Sequence, residues 1–76
     1  METLHLHGYS VGEAKKIIET TIARMPKGNQ ELKVIHGYRN GDAIKGLVRD
    51  RFKIRSKRLV RRRVTMNQGE TILVLE

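Results

Sequence analysis

Only two segments of this chain carry a helical period, and each shows a single apolar stripe. In the first, Ser10 stands three residues before Glu13, a capping-box pattern. Val11, Ala14, Ile17, Ile18, Ile22 and Met25 then recur at helical spacing until Pro26 and Gly28 stop the run. In the second, Asp42 or Asn40 caps a stripe of Ala43, Ile44, Leu47, Val48 and Phe52. Gly46 costs that helix about 1 kcal/mol relative to alanine and is read as allowing close approach to a sheet. Four short strand-like runs surround the helices. Thr3 to His7 alternates apolar and polar residues, and Leu32 to His36 is β-branched at its centre. Residues 57–65 alternate poorly, and after the turn Asn67-Gln68-Gly69 comes the apolar run Thr71 to Leu75.

The order β-α-β-α-β-β follows, and it restricts the architecture. Strands joined through a helix tend to run parallel, and strands joined by a short turn run antiparallel. Two helices with one stripe each cannot cover both faces of a four-stranded sheet. The expected fold is an α+β two-layer sandwich, a mixed four-stranded sheet with both helices on one face and the other face open. With 76 residues, the chain is read as one domain, 1–76. It has no cysteine, which removes disulfides and cysteine-ligated zinc and fits a reducing compartment. No apolar run approaches the ~20 residues of a membrane span. A soluble, cytoplasmic chain with no membrane partner is expected.

Charge separates the chain into two parts. Of its 16 lysines and arginines, ten fall between Lys45 and Arg63, together with one acid, Asp50. That quarter of the chain carries a net +9, and the remainder −1. The ten are Lys45, Arg49, Arg51, Lys53, Arg55, Lys57, Arg58, Arg61, Arg62 and Arg63. A near-neutral body with one cationic segment is the footprint of a polyanion binder, and arginine's planar fork suits phosphate. About six neutralised phosphates would give a log–log salt slope near −5 on duplex DNA. An arginine-rich edge strand also resists self-pairing, so a monomer is expected.

The tripeptide His-Gly-Tyr occurs twice, at His7-Gly8-Tyr9 and His36-Gly37-Tyr38, each time after a strand. If the first two strands are parallel neighbours, both turns emerge at the carboxyl edge of the sheet, where ligands bind in open α/β sheets. Helix N-termini there favour an anion, and glycine lets the backbone approach it. His7 and His36 would meet at this edge within reach of Arg39 and Lys45. Paired imidazoles near a phosphate suit general acid–base work, with Arg39 stabilising charge on the phosphoryl oxygens. The plainer alternatives are phosphate contact without chemistry, or a purely conformational role for the His-Gly turns. A zinc site on His5, His7 and His36 is disfavoured by the basic surround and the lack of a neighbouring carboxylate, and neither a metal nor a cofactor is expected. Tyr9, preceding the helix cap, is read as a hydrophobic staple, whereas Tyr38 stays open between packing and stacking.

These residues resemble the small MutS-related (Smr) domain over essentially the whole chain. Members begin with Leu-Asp-x-His-Gly and carry a later His-Gly-x-Gly-x-Gly. Here the first motif reads Leu4-His5-Leu6-His7-Gly8 and the second His36-Gly37-Tyr38-Arg39-Asn40-Gly41, and the closing "GETILVLE" resembles the family's final strand. The resemblance implies the fold of the C-terminal domain of the third bacterial translation initiation factor. It also implies binding of DNA or RNA, endonuclease activity in several members, and roles at stalled ribosomes. His7, His36, Gly37 and Gly41 would line the site. Two positions depart from the pattern. The acidic residue implicated in cleavage is His5, and the middle glycine of the second motif is Arg39.

The expectation is therefore a nucleic-acid-binding Smr-type domain, on RNA or DNA and in a ribosomal setting, with weakened or absent cleavage. His5, Gly8, Gly37, Tyr38, Arg39, Asn40 and Gly41 would form its pocket. Lys45, Arg49, Lys53, Arg55, Lys57, Arg58, Arg61, Arg62 and Arg63 would supply the phosphate contacts. The alternatives are an active endonuclease using His7 and His36, and a basic adaptor for an acidic protein.

Overall fold

The computed structural model describes residues 1–37, 42–50 and 53–76, with Asp42 described in its backbone alone. The elements are β1 (Glu2–His5), α1 (Val11–Arg24), β2 (Gln30–Ile35), α2 (Asp42–Arg49), β3 (Leu59–Val64) and β4 (Glu70–Leu75). They form a four-stranded mixed sheet in the order β1-β2-β4-β3. β1 runs parallel to β2, and β4 lies antiparallel to both β2 and β3. The fold class and element order expected from the sequence are those observed.

Strand parity decides which side chains meet the helices. Leu6, Leu32, Val34, Leu73 and Leu75 share one sheet face with Ala14, Ile18 and Ile22 of α1 and Ile44, Leu47 and Val48 of α2. Both helices therefore cover the same face. Each fully buried leucine or isoleucine there contributes about 1.5–3 kcal/mol relative to an exposed one. The opposite face is not bare. Ile72 lies between Lys33 and Arg63 in the strand register and is only 3% exposed. The two cations are held over the sheet by ion pairs, Lys33 with Glu70 at 3.9 Å and Arg63 with Glu31 at 2.9 Å. Their aliphatic stems account for the shielding of Ile72.

The poor alternation of residues 57–65 has a structural cause. The β3–β4 register shifts between Leu59 and Arg61, leaving Val60 as an extra residue that breaks the period of two. α1 begins as its capping box dictates. Ser10 Oγ accepts the Glu13 amide at 3.2 Å, and Glu13 Oε1 accepts the Ser10 amide at 3.0 Å. α2 ends at Arg49, before Phe52, which lies outside the described residues, as do Asn40 and Gly41.

Gly46 does not serve a close approach. It is exposed on α2, and a Cβ built there meets nothing within 4 Å. The space is open and the helix interior favours alanine, so Gly46→Ala should stabilise the domain by about 0.5–1 kcal/mol. An upward shift of the urea midpoint at constant m-value is the expected result.

Candidate nucleic-acid interface

The two His-Gly turns do lie side by side at the carboxyl ends of β1 and β2, but their histidines point to opposite sides. The tripeptides are 29 residues apart in sequence. Paired residues of β1 and β2 are 30 apart, as in Leu4 opposite Val34 and His5 opposite Ile35. Continued by one bond, from the Leu6 amide to the Ile35 carbonyl at 2.8 Å, this register puts His36 level with Leu6 and His7 level with Gly37. A one-residue offset in a strand reverses the face of a side chain. His36 accordingly turns inward with Leu6 and is 0% exposed, whereas His7 is exposed. The Cβ of His7 lies 3.7 Å from where a Cβ on Gly37 would stand.

The glycines answer a backbone demand. Gly8 has φ +96°, and the Tyr9 amide donates to the Leu6 carbonyl at 3.3 Å. This is a type II turn with His7 at its corner and glycine at the position that requires positive φ. Gly37 has φ +74°. Its amide and that of His36 both donate to the Gly69 carbonyl, at 3.0 and 2.8 Å, tying the end of β2 to the turn before β4.

Both ring nitrogens of His36 are engaged. Nδ1 lies 2.7 Å from the Gly37 carbonyl oxygen, which only accepts, so Nδ1 carries the proton and donates. Nε2 lies 3.0 Å from Thr71 Oγ1 and accepts from that hydroxyl. Thr71 Oγ1 in turn accepts from Arg49 Nε at 2.9 Å, and Arg49 Nη2 reaches the Glu70 carbonyl at 3.4 Å. The chain Arg49–Thr71–His36–Gly37 thus fixes a neutral imidazole. Burial is the main cause that holds its pKa below 6.5. The Gly37 bond opposes this, the charges of Arg49 and Lys45 add to it, and Glu70 works against it. Thr71 was not among the expected site residues; its cues were the resemblance of Gly69-Glu70-Thr71 to the Smr family's final strand and the strand parity that places it inward with Leu73 and Leu75.

The basic segment divides by what its side chains bind. Arg58 donates to the carbonyls of Ile22, Met25 and Pro26, at the end of α1, and to the backbone oxygen of Glu76, just after β4. Arg62 donates to the carbonyls of Val48 and Asp50, at the end of α2. Arg63 is paired with Glu31, and Arg49 belongs to the His36 chain. Lys53, Arg55, Lys57 and Arg61 are exposed, and their side chains make no hydrogen bond or ion pair among the described residues. Lys45 is half-buried on α2, near enough to His36 to act on its titration. Arg51, Tyr38, Arg39, Asn40 and Gly41 lie outside the described residues.

His5 is exposed on the open sheet face, two residues before His7. Among the described residues no group of three or more His, Cys, Asp or Glu is placed to hold a metal ion. No helix among them is long and apolar enough to cross a membrane. Comparison of the chain with protein-family models, with curated proteins and with solved structures returned no match.

Proposed function

We propose that the chain is a nucleic-acid-binding module of the Smr type, acting as a monomer on cytoplasmic RNA or DNA, in a ribosomal setting, with weakened or absent cleavage. The observation that carries this reading is the adjacency of the two His-Gly turns, with His7 exposed beside Gly37 at the sheet edge. The cations left over by the fold support it. Lys53, Lys57 and Arg61 are exposed and their side chains make no hydrogen bond or ion pair among the described residues, while Arg55 acts on Glu19 and Lys45 on His36 through charge alone. Arg61, opposite Val74, stands toward the end of the sheet away from the two turns.

The weak-cleavage part rests on chemistry at the same edge. General acid–base catalysis needs both groups within reach of the reacting atoms. Here His36 is buried and bonded through both nitrogens, leaving His7 as the exposed imidazole of the two. His5, standing where the resemblance would place a carboxylate, supplies no fixed negative charge. If cleavage occurs, the exposed pair available for it is His5 and His7.

The test is binding and cutting of labelled RNA and DNA across a salt series. If these five cations of the described residues each neutralise one phosphate, the log–log slope is near −4.5 on duplex DNA and near −3.5 on single strands. Arg61→Ala should reduce the magnitude of that slope by about one unit. His7→Ala should leave stability within about 0.5 kcal/mol, because the side chain is exposed, and should abolish any cutting that is seen. Affinity that ignores salt would sink the proposal.

A further inference from the structure

We propose that Tyr9 is a stacking platform for an unpaired base, which makes single-stranded nucleic acid the substrate class of this rim. The inference rests on the nucleic-acid reading above and deepens it.

Tyr9 occupies the position before the N-cap, where an aromatic ring ordinarily packs back onto the fourth helical residue. That residue is Ala14, which is fully buried and offers only a methyl group. Tyr9 itself remains 47% exposed. The type II turn at Leu6 to Tyr9 carries the ring to the sheet edge, directly after the exposed His7. Val11, the first residue of α1, is also 38% exposed. An aromatic ring with an apolar neighbour therefore stands on the edge where the proposed ligand would lie.

Electrostatics selects which part of a nucleotide fits beside it. A helix N-terminus ordinarily attracts phosphate, but that of α1 is already occupied by the carboxylate of Glu13. The Ser10 amide and side chain hold this carboxyl below its usual range, so it is charged at neutral pH. A phosphate would be repelled there, whereas an uncharged, flat base would not. Lys45, half-buried on α2 with its charge felt at His36, is one cation of the described residues for a phosphate further along the strand. Bases inside a duplex keep their faces stacked on each other, so only an unpaired base can offer a face to Tyr9.

The experiment measures affinity for three probes of matched length: a single-stranded oligoadenylate dodecamer, an abasic dodecamer and a twelve-base-pair duplex. Tyr9→Leu keeps an apolar side chain but removes the π face, and Tyr9→Phe keeps the face. Tyr9→Leu is expected to weaken oligoadenylate binding at least about fivefold, with less than twofold change on the abasic strand and the duplex. Tyr9→Phe should bind like the parent. Equal losses on all three probes, or no loss on oligoadenylate, would overturn the stacking site while leaving salt-dependent binding in place. A parent chain that binds none of the three with salt-sensitive affinity would overturn the nucleic-acid reading together with this one. Circular dichroism and urea midpoints of each variant confirm that folded proteins are compared.

Discussion

Replacing Arg58 by alanine is expected to lower folding stability by about 2–4 kcal/mol, although the residue sits in a run that reads as a nucleic-acid patch. The cause begins at Pro26. A proline disfavours helical backbone in the residue before it, and Met25 is extended, with φ −69° and ψ 147°. The left-handed glycine cap that closes many helices is thereby unavailable directly after α1. The Met25 amide reaches back to the Thr21 and Ile22 carbonyls, but further carbonyls of the last turn need donors. Arg58 supplies them. Its Nη1 lies 2.8 Å from both the Ile22 and Met25 oxygens, Nη2 reaches Pro26, and Nε lies 2.9 Å from the Glu76 oxygen. A cation at this end also complements the helix dipole. Water can replace the bonds to Pro26 and Glu76, which are exposed, so the cost is set mainly by the two part-buried carbonyls. For a domain of 76 residues, with total stability of about 4–11 kcal/mol, the loss corresponds to a melting point lower by about 10–25 °C. Arg58→Lys should recover less than half of it, because a single ammonium cannot span the same carbonyls. Arg61→Ala, three positions on, should cost under about 0.5 kcal/mol and act on the salt slope instead. Urea melts of the three variants decide the matter. An Arg58→Ala chain with an unchanged midpoint and reduced nucleic-acid affinity would make the guanidinium a ligand group and refute the cap.

The contrast between Arg58 and Arg61 marks the boundary of what the sequence disclosed. Local signals were readable. The Ser10–Glu13 box, the stop at Pro26 and the turn before β4 each depend on residues a few positions apart and stand where the pattern put them. So do the buried parts of the two stripes, Ala14, Ile18 and Ile22 on α1 and Ile44, Leu47 and Val48 on α2; Val11 and Ala43 are exposed instead. Arginines that bond carbonyls 32 to 36 residues away give no such signal. Charge density alone made them resemble their solvent-facing neighbours. The echoed His-Gly-Tyr misled for a different reason. Similar local conformation, a positive-φ glycine after a strand, needs the same residues whatever the register of the two strands. Register is set by which apolar residues reach the core, and Leu4 and Leu6 align with Val34 and His36. Had the strands been aligned on their buried residues instead of on the repeated tripeptide, the sequence would have placed His36 inside and His7 outside.

Loss of stability on mild acidification should trace to His36, and this separates its structural role from a catalytic one. The folded pKa lies below 6.5, chiefly because of burial, whereas the unfolded chain titrates near 6.5. Above that value both states are neutral at this ring and the contribution is fully present. As pH falls through 6.5 the unfolded state takes up a proton first, and stability declines by up to about 1.4 kcal/mol per pH unit until the folded pKa is reached. A proton on Nε2 would also break the chain. Thr71 Oγ1 already accepts from Arg49, and a second donor would leave its hydroxyl hydrogen without the acceptor it now has. His36→Gln retains a donor and an acceptor, so it should fold and flatten the stability profile between about pH 7 and 5. His36→Ala should cost about 3–5 kcal/mol, from the cavity and from the orphaned Thr71 hydroxyl and Gly37 carbonyl, and so approach the limit of a small domain. Lost cutting in that variant would be uninformative about chemistry, because unfolding removes the site as well. The decisive comparison is therefore His36→Gln beside His7→Ala. A positioning histidine predicts that His36→Gln retains binding per folded molecule and changes the pH profile of stability, while His7→Ala, at an exposed side chain, changes stability at neutral pH by no more than about 0.5 kcal/mol. A His36→Gln chain whose urea midpoint follows pH as the parent's does would remove His36 as the source of the acid sensitivity, and with it the argument that burial of this ring governs the edge.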